Sequence, residues 1–188
     1  SKINFYVPTY MSGKVGLEFT RQMVNLKYLK MPNAGYEDAL QYARTGITLC
    51  NARGVHDAST AELAVGLAIA ARRGFSDFAI AQQKGEWAHR RYQSLNDSKI
   101  AIVGAGSIGN TLANYLSVFD VEITSFSRSG DNGSSKMNEF DKQISSFDVI
   151  FLILPLNNES KNLFGQIDNK FEILAKCIKA RESMFNAR

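Results

Sequence analysis

The sequence predicts an α/β protein built on a doubly wound parallel sheet, with part of a second α/β domain. Residues 100–103 form a short apolar run rich in β-branched side chains, which is typical of a buried parallel strand. A glycine motif, Gly104-Ala105-Gly106-Ser107-Ile108-Gly109, follows at once and opens a helical pattern of apolar residues. A second apolar strand is predicted over 121–126. This order of strand, glycine turn, helix and strand is the repeating unit of a doubly wound sheet.

The first fifty residues predict a small α/β layer of their own. Three apolar stretches are expected as strands and two intervening stretches as helices. The strands are expected at 3–7, 26–31 and 46–51, and the helices at 18–25 and 36–43. A sharp loop that contains Asn33, Ala34 and Gly35 follows the second strand.

A long helical region separates this layer from the glycine motif. Residues 58–71 are almost wholly apolar or small, and Asp57 or Ser59 can cap the helix that they form. Gly74 interrupts the region, and a second helix is expected over 75–84. A helix that is apolar on nearly every side must be buried between two domains or two subunits, so a homodimer contact is expected here.

The remaining elements are assigned from apolar runs and breaks between them. Trp87, the single tryptophan, closes the helical region and is expected to anchor it against a core. Beyond the second strand of the glycine unit, a polar loop is expected at 128–136, a helix at 138–147, a buried strand at 148–154 and a helix at 168–179.

Composition and charge exclude several classes of function. The 188 residues are 45% apolar, which allows a core, and the positive residues behind the net charge of +4 are scattered, so nucleic-acid binding is not expected. The sequence has no leading signal-type segment and no apolar run long enough to cross a bilayer, so no membrane role is expected. Cys50 and Cys177 form neither a disulfide framework nor a metal motif; no metal site is therefore expected, and a reducing cytoplasm fits.

The glycine motif predicts a Rossmann-type dinucleotide site. Gly104 allows the tight turn after the strand, Gly106 lets the backbone approach a pyrophosphate, and Gly109 lets the helix pack close to the strand. The free N–H groups of the new helix, at Ser107 and Ile108, then face the phosphates together with the positive end of the helix dipole. The alternative is a tight glycine turn in an ordinary α/β domain.

The end of the second strand favours NADP over NAD. An NAD site usually places Asp or Glu there for the ribose 2′-hydroxyl, but this chain has Ser127-Arg128-Ser129. A guanidinium and two hydroxyls suit a 2′-phosphate, so NADP is expected and NAD is the second choice. The alternative is that Arg128 is only a solvated loop residue.

Four stretches in this order resemble one family, the D-isomer-specific 2-hydroxyacid dehydrogenases. They read GITLCNARGVHDASTAELAVGLAIAARR, GEW, KIAIVGAGSIG and DVIFLILPLNNESKNLFG. The group includes D-3-phosphoglycerate, glyoxylate/hydroxypyruvate and formate dehydrogenases. The resemblance covers residues 26–165 and is far more specific than the glycine motif alone.

The resemblance implies a homodimer in which each chain has two α/β domains, with the cofactor domain inserted into a flavodoxin-like substrate domain. On this basis residues 1–53 are assigned to a partial substrate domain, 54–98 to crossover and dimerisation helices, and 99–188 to an incomplete Rossmann domain. It also implies that the backbone at Ala34 and Gly35 binds a substrate carboxylate, although an ordinary turn remains the alternative. Leu154 and Pro155 match the strand end that lines the cofactor site.

The chemistry that the resemblance implies is hydride transfer between a nicotinamide and C2 of a small 2-keto or 2-hydroxy acid. In the family an Arg polarises the keto oxygen, and a His paired with a Glu moves the proton. Arg188 falls near the position of that Arg, but neither His56 nor His89 matches the family's proton donor. The chain is therefore interpreted as an inactive middle portion of such an enzyme, truncated at both ends. The alternative is a non-catalytic NAD(P)-binding regulatory or scaffolding module.

Overall fold

A computed structural model of the chain describes residues 2–10, 12–131 and 133–154. Within them the chain forms two compact units, divided between Asp57 and Ala58. The helices that follow the first layer therefore belong to the unit that contains the glycine motif. None of the helices in the described ranges is long and apolar enough to cross a membrane.

The first unit contains a three-stranded parallel sheet in the order β1-β2-β3. The strands are β1 (Phe5–Tyr6), β2 (Tyr28–Lys30) and β3 (Thr48–Cys50). Leu29 of the central strand is fully buried, and the unit's core forms around it. The other buried members of this core are Leu17, Met23, Leu26, Met31, Ala39 and Tyr42. The predicted alternation of strands and helices in this layer is confirmed.

The helices of the first unit are shorter than predicted. Helix α1 covers Gly13–Glu18, and a 3₁₀ turn follows at Phe19–Gln22. The helix predicted at 18–25 therefore begins five residues earlier than expected. The Thr20 hydroxyl donates to the Leu17 carbonyl at 2.7 Å, a local side-chain bond that competes with a regular helix. The second predicted helix is a 3₁₀ helix at Glu37–Tyr42.

The second unit contains a four-stranded parallel sheet in the order β6-β5-β4-β7. Its strands are β4 (Lys99–Val103), β5 (Glu122–Ser127), β6 (Ser135–Lys136) and β7 (Val149–Leu152). The predicted strands at 100–103, 121–126 and 148–154 are confirmed, and β6 is a short strand inside the stretch predicted to be a loop. Because the strand order reverses at β4, a crevice is expected at the carboxyl ends of the strands there, where open α/β sheets bind their ligands.

Strand β4 is buried on both faces, which explains its continuous apolar run. Ile100 and Ile102 face a core that includes Leu112 and Leu116. The two alternate residues of β4, Ala101 and Val103, face a second core that contains Phe126 and Phe140.

Four α-helices are seen in the described part of the second unit, the first of which starts at the boundary residue Asp57. They are α2 (Asp57–Arg72), α3 (Phe75–Gln83), α4 (Ser107–Leu116) and α5 (Met137–Gln143). The Arg72 guanidinium donates to the Ser94 carbonyl and to the Ser98 hydroxyl, which ties the end of α2 to the segment before β4. Gly74 separates α2 from α3 with a φ of +64°, as the sequence predicts for a helix break.

The burial predicted for α2 is not tested by a single chain, whereas that for Trp87 is wrong. Helix α2 buries only Ala61 and Ala68 in the single chain, and Leu63 on another face is 62% exposed, so burial of the helix between two domains or two subunits stays a prediction. Trp87 is 92% exposed and does not anchor a core. Its segment leaves α3 at Gly85 and joins neither a helix nor a strand before β4 begins at Lys99.

Candidate cofactor site

Gly104 is required by the turn that follows β4. Its φ is +118°, a conformation that only glycine adopts readily, and its amide donates to the Phe126 carbonyl at 2.9 Å. A Cβ at this position would overlap the backbone carbonyl of Ile153, just beyond β7. The turn thus lies directly against the neighbouring chain segment.

Gly109 is required by the packing of α4 on this turn. A Cβ here would overlap the carbonyl oxygen of Gly104, and it would also come within 3.4 Å of the Ile102 side chain. The first turn of α4 therefore lies close to the end of β4, as the sequence predicts.

Gly106 differs from the other two glycines because the fold itself does not require it. Its φ of −83° and ψ of −168° are open to any residue, and an added Cβ would meet no atom of the described residues within 4 Å. It is the N-cap of α4, where no side-chain hydrogen bond caps the helix, and its carbonyl accepts from the Asn110 amide at 2.9 Å. The space in front of Gly106 is what close approach of a pyrophosphate to the backbone needs.

The first turn of α4 supplies the donors for an anion at this place. Ser107 and Ile108 are its first two residues, and N–H groups in a first turn have no intrahelical acceptor. The helix dipole adds partial positive charge at the same end. The residues present therefore fit the diphosphate of a dinucleotide.

The end of β5 carries a hydrogen-bonded network in place of an acid. The Gly130 amide donates to the Ser127 hydroxyl at 2.9 Å, the two hydroxyls of Ser127 and Ser134 are 2.6 Å apart, and the Ser134 hydroxyl donates to the Asp131 carbonyl at 2.6 Å. We call these four groups the serine network. Arg128 and Ser129 are exposed within the loop that the network closes.

The predicted residues after β7 are only partly described. Leu154 is half-buried and packs against the core that contains Phe126 and Phe140. Pro155 and Arg188, and the helix predicted at 168–179, lie outside the described residues.

The loop after β2 in the first unit turns two of its carbonyls towards the end of β3. The Asn33 carbonyl accepts from the Ala52 amide at 2.9 Å, and the Ala34 carbonyl accepts from the Asn51 side-chain amide at 2.8 Å. The Lys30 ammonium in turn donates to the Asn51 carbonyl. Lys30 and Asn51 are supporting residues that sequence reasoning missed, and the only available signal was their position at the ends of two predicted strands.

A carboxylate already lies at this loop. The Tyr36 amide donates to Glu37 Oε2 at 2.9 Å, and the same oxygen lies 3.2 Å from the position that a Cβ of Gly35 would take. The donor in this contact is the Tyr36 amide, and the binding of a substrate carboxylate at Ala34 and Gly35 stays a prediction.

The two histidines lie away from the glycine motif in the sequence and differ in their surroundings. His56 Nε2 is 3.3 Å from the Pro32 carbonyl, and its ring centroid is 5.8 Å from that of Tyr10. His89 is exposed in the segment that follows Trp87. Across residues 2–10, 12–131 and 133–154, no group of three or more His, Cys, Asp and Glu side chains could hold a metal ion.

Comparison with known proteins identifies the family. A sequence model of the D-isomer specific 2-hydroxyacid dehydrogenase NAD-binding domain matches residues 65–172, more than half of the chain. The glyoxylate reductase of Thermococcus litoralis is 26% identical over 178 residues, which cover 86% of this chain and 54% of that protein. The D-3-phosphoglycerate dehydrogenase of Archaeoglobus fulgidus is 25% identical over 162 residues, which cover 81% of this chain and 31% of that protein.

Solved structures give the same answer for the fold. A crystal structure of a D-isomer specific 2-hydroxyacid dehydrogenase family protein from Aeromonas salmonicida has a TM-score of 0.72 at 24% identity, covering 84% of this chain and 52% of that chain. The present chain spans about half the length, or less, of the curated relatives it matches. The resemblance predicted from the sequence is confirmed: the chain belongs to the D-isomer specific 2-hydroxyacid dehydrogenase family and contains its NAD-binding domain.

Proposed function

We propose that this chain binds NADP(H) and serves hydride transfer between the nicotinamide and C2 of a small 2-keto or 2-hydroxy acid. One observation carries the proposal: the open space at Gly106, at the uncapped N-terminus of α4 and the carboxyl end of β4. The fold does not need a glycine there, whereas a bound pyrophosphate does.

The chain's residues divide the binding work between them. The amides of Ser107 and Ile108 hold the diphosphate with the help of the helix dipole. Arg128, at the end of β5, pairs with the 2′-phosphate of NADP. The backbone near Ala34 and Gly35 holds the substrate carboxylate. The bound dinucleotide supplies or accepts the hydride.

The preference for NADP rests on the end of β5. The chain there reads Ser127-Arg128-Ser129, with no carboxylate to accept from a ribose 2′-hydroxyl or to repel a phosphate. In the serine network the Ser127 hydroxyl donates its hydrogen to Ser134. The side chains of this trio that can donate to a phosphate are therefore those of Arg128 and Ser129.

Titration of the 188-residue chain with NADPH and NADH tests this proposal. A charge-assisted contact is worth about 1.5–3 kcal/mol, so NADPH should bind roughly ten- to a hundredfold more tightly than NADH. Arg128→Ala should remove this preference, whereas Arg91→Ala, which removes an exposed arginine of the same unit, should not. Equal affinity of the unaltered chain for the two cofactors would contradict the choice of NADP, and failure to bind either would contradict dinucleotide binding.

Turnover by this chain alone is not part of the proposal. Neither His56 nor His89 matches the family's proton donor, and general acid catalysis typically contributes about 10²–10⁴-fold. The 188-residue chain should therefore bind NADPH without oxidising it at an enzyme-like rate in the presence of glyoxylate or hydroxypyruvate. Robust turnover would refute this and would direct single substitutions to His56, His89 and Tyr92.

Because neither His56 nor His89 matches the proton donor, a second function is also favoured, that of a non-catalytic NAD(P)-binding regulatory or scaffolding module. Such a module needs the glycine loop and no proton donor. The coding region on both sides of this segment separates the two functions: a longer product that reduces 2-keto acids supports the enzyme, and a longer product that binds NADPH without turnover supports the module.

A further inference from the structure

The serine network has a definite direction. The Asp131 carbonyl can only accept, so the single hydrogen of the Ser134 hydroxyl is used in that 2.6 Å bond. The hydroxyl of Ser127 must then be the donor in its 2.6 Å contact with Ser134. The Gly130 amide donates to Ser127 at 2.9 Å, so one lone pair of Ser127 is also occupied.

These bonds tie Ser127, Gly130 and Asp131 to one another through Ser134. Ser134 is 8% exposed, and its backbone amide also donates to the Asp131 carbonyl, at 3.1 Å. Gly130 has a φ of +75°, and a Cβ there would come within 2.7 Å of the Lys136 side chain, so the turn is packed closely on β6. The loop that displays Arg128 is thus tied at both ends to buried or paired groups.

We propose that Ser134 is a positioning residue for cofactor specificity, and that it acts by holding Arg128 and Ser129 at the end of β5. In the serine network the Ser127 hydroxyl donates to Ser134 and accepts from the Gly130 amide, so its part is to close the loop. Discrimination for the 2′-phosphate therefore depends on a loop held in place by Ser134. This inference rests on the proposed NADP(H) function and deepens it.

Ser134→Ala tests the role through the ratio of two affinities in the 188-residue chain. Loss of the fixed loop should weaken NADPH binding by about tenfold and NADH binding by less than about twofold, because the effect of about one hydrogen bond falls on the phosphate contact alone. Ser134→Thr keeps the hydroxyl and should restore the preference. Ser146→Ala removes a 2.6 Å hydroxyl-to-carbonyl bond elsewhere in the unit and should leave both affinities unchanged.

A second pair of variants separates positioning from general stability. In an Arg128→Ala background, Ser134→Ala should change the NADPH-to-NADH ratio no further, since residues that act through one another are not additive. Equal weakening of both cofactors by Ser134→Ala, or an unchanged ratio in a chain that prefers NADPH, would overturn the inference while leaving the proposed function intact. A chain that binds NADH as tightly as NADPH would overturn both the choice of NADP and the inference.

Amide hydrogen exchange supplies a measurement that needs no cofactor and no Ser134 variant. The Gly130 amide should be protected in the unaltered chain, and Ser127→Ala should remove that protection because it removes the acceptor. Rapid exchange of Gly130 in the unaltered chain would show that the serine network does not hold the loop.

Discussion

Two glycines of the same motif should respond oppositely to alanine. Gly104→Ala places a Cβ on a residue with a φ of +118° and against the Ile153 carbonyl. Backbone strain of this kind costs about 1–3 kcal/mol and overpacking about 1–3 kcal/mol, so the variant should lose about 2–6 kcal/mol of stability. That is a large share of the roughly 5–15 kcal/mol that holds a domain folded.

Gly106→Ala should leave the stability almost unchanged and weaken cofactor binding. An N-cap alanine in place of glycine costs some tenths of a kcal/mol to about 1 kcal/mol, and the smaller freedom of the unfolded chain returns about 0.4–1 kcal/mol. In the free protein the new methyl group has none of the described residues within 4 Å. It lies where the pyrophosphate must approach, so the affinity for the dinucleotide should fall by about ten- to a hundredfold.

Urea unfolding followed by circular dichroism, together with fluorescence titration of the reduced cofactor, measures both effects. The Gly104→Ala midpoint should fall clearly below that of the unaltered chain, and the Gly106→Ala midpoint should not. Cofactor binding by Gly106→Ala at the affinity of the unaltered chain would refute the placement of the pyrophosphate. A Gly106→Ala midpoint as low as that of Gly104→Ala would refute the assignment of the two structural roles.

Three further predictions concern association, the substrate loop and alkaline pH. Leu63→Lys should convert a homodimer of the chain into a monomer in light scattering, because this exposed side chain of α2 is expected to be covered by a second copy; a dimer indifferent to the change would contradict this. Glu37→Gln should tighten binding of a 2-keto acid about two- to fivefold in calorimetric titration, because it removes a repulsion that is worth about 1 kcal/mol for two like unit charges about 4 Å apart in water. Unchanged or weaker binding would argue against a carboxylate site at Gly35. The hydrogen bond from Tyr42 to Glu18 raises the pKa of Tyr42 above 10.0, so its contribution to stability is complete below that pH and is lost as the pH rises through the higher folded value. Tyr42→Phe should therefore flatten the loss of stability at alkaline pH in urea unfolding, and identical pH profiles would refute the role of this bond.

Local patterns predicted those parts of the fold in which one residue type has one structural use. The apolar run at 100–103 predicted a strand buried on both faces, and its residues alternate between two cores. The glycine spacing predicted the turn and the close helix, because the positive φ of Gly104 and the overlap at Gly109 each exclude a side chain. These requirements act over a few residues and are therefore visible in the sequence.

The failed predictions depended on partners distant in the chain or on exact local bonding. The helix expected at 18–25 shifted because the Thr20 hydroxyl bonds the Leu17 carbonyl and tightens the turn there. Trp87 was expected in a core because it is large and apolar, but burial depends on which element lies opposite, and its side chain is 92% exposed.

By itself, the sequence determined the α/β class, the family and the position of the dinucleotide turn, because periodicity and glycine spacing act through neighbouring residues. Only the tertiary structure decided that Asn51 supports Ala34 across seventeen residues and that Ser134 takes the hydrogen of Ser127. Serine and asparagine are common in loops and strand ends, and their hydrogen-bond partners are chosen by the approach of separate segments. In each unit that approach is set by the packing of the unit's own core, and it produces no periodic pattern in the sequence.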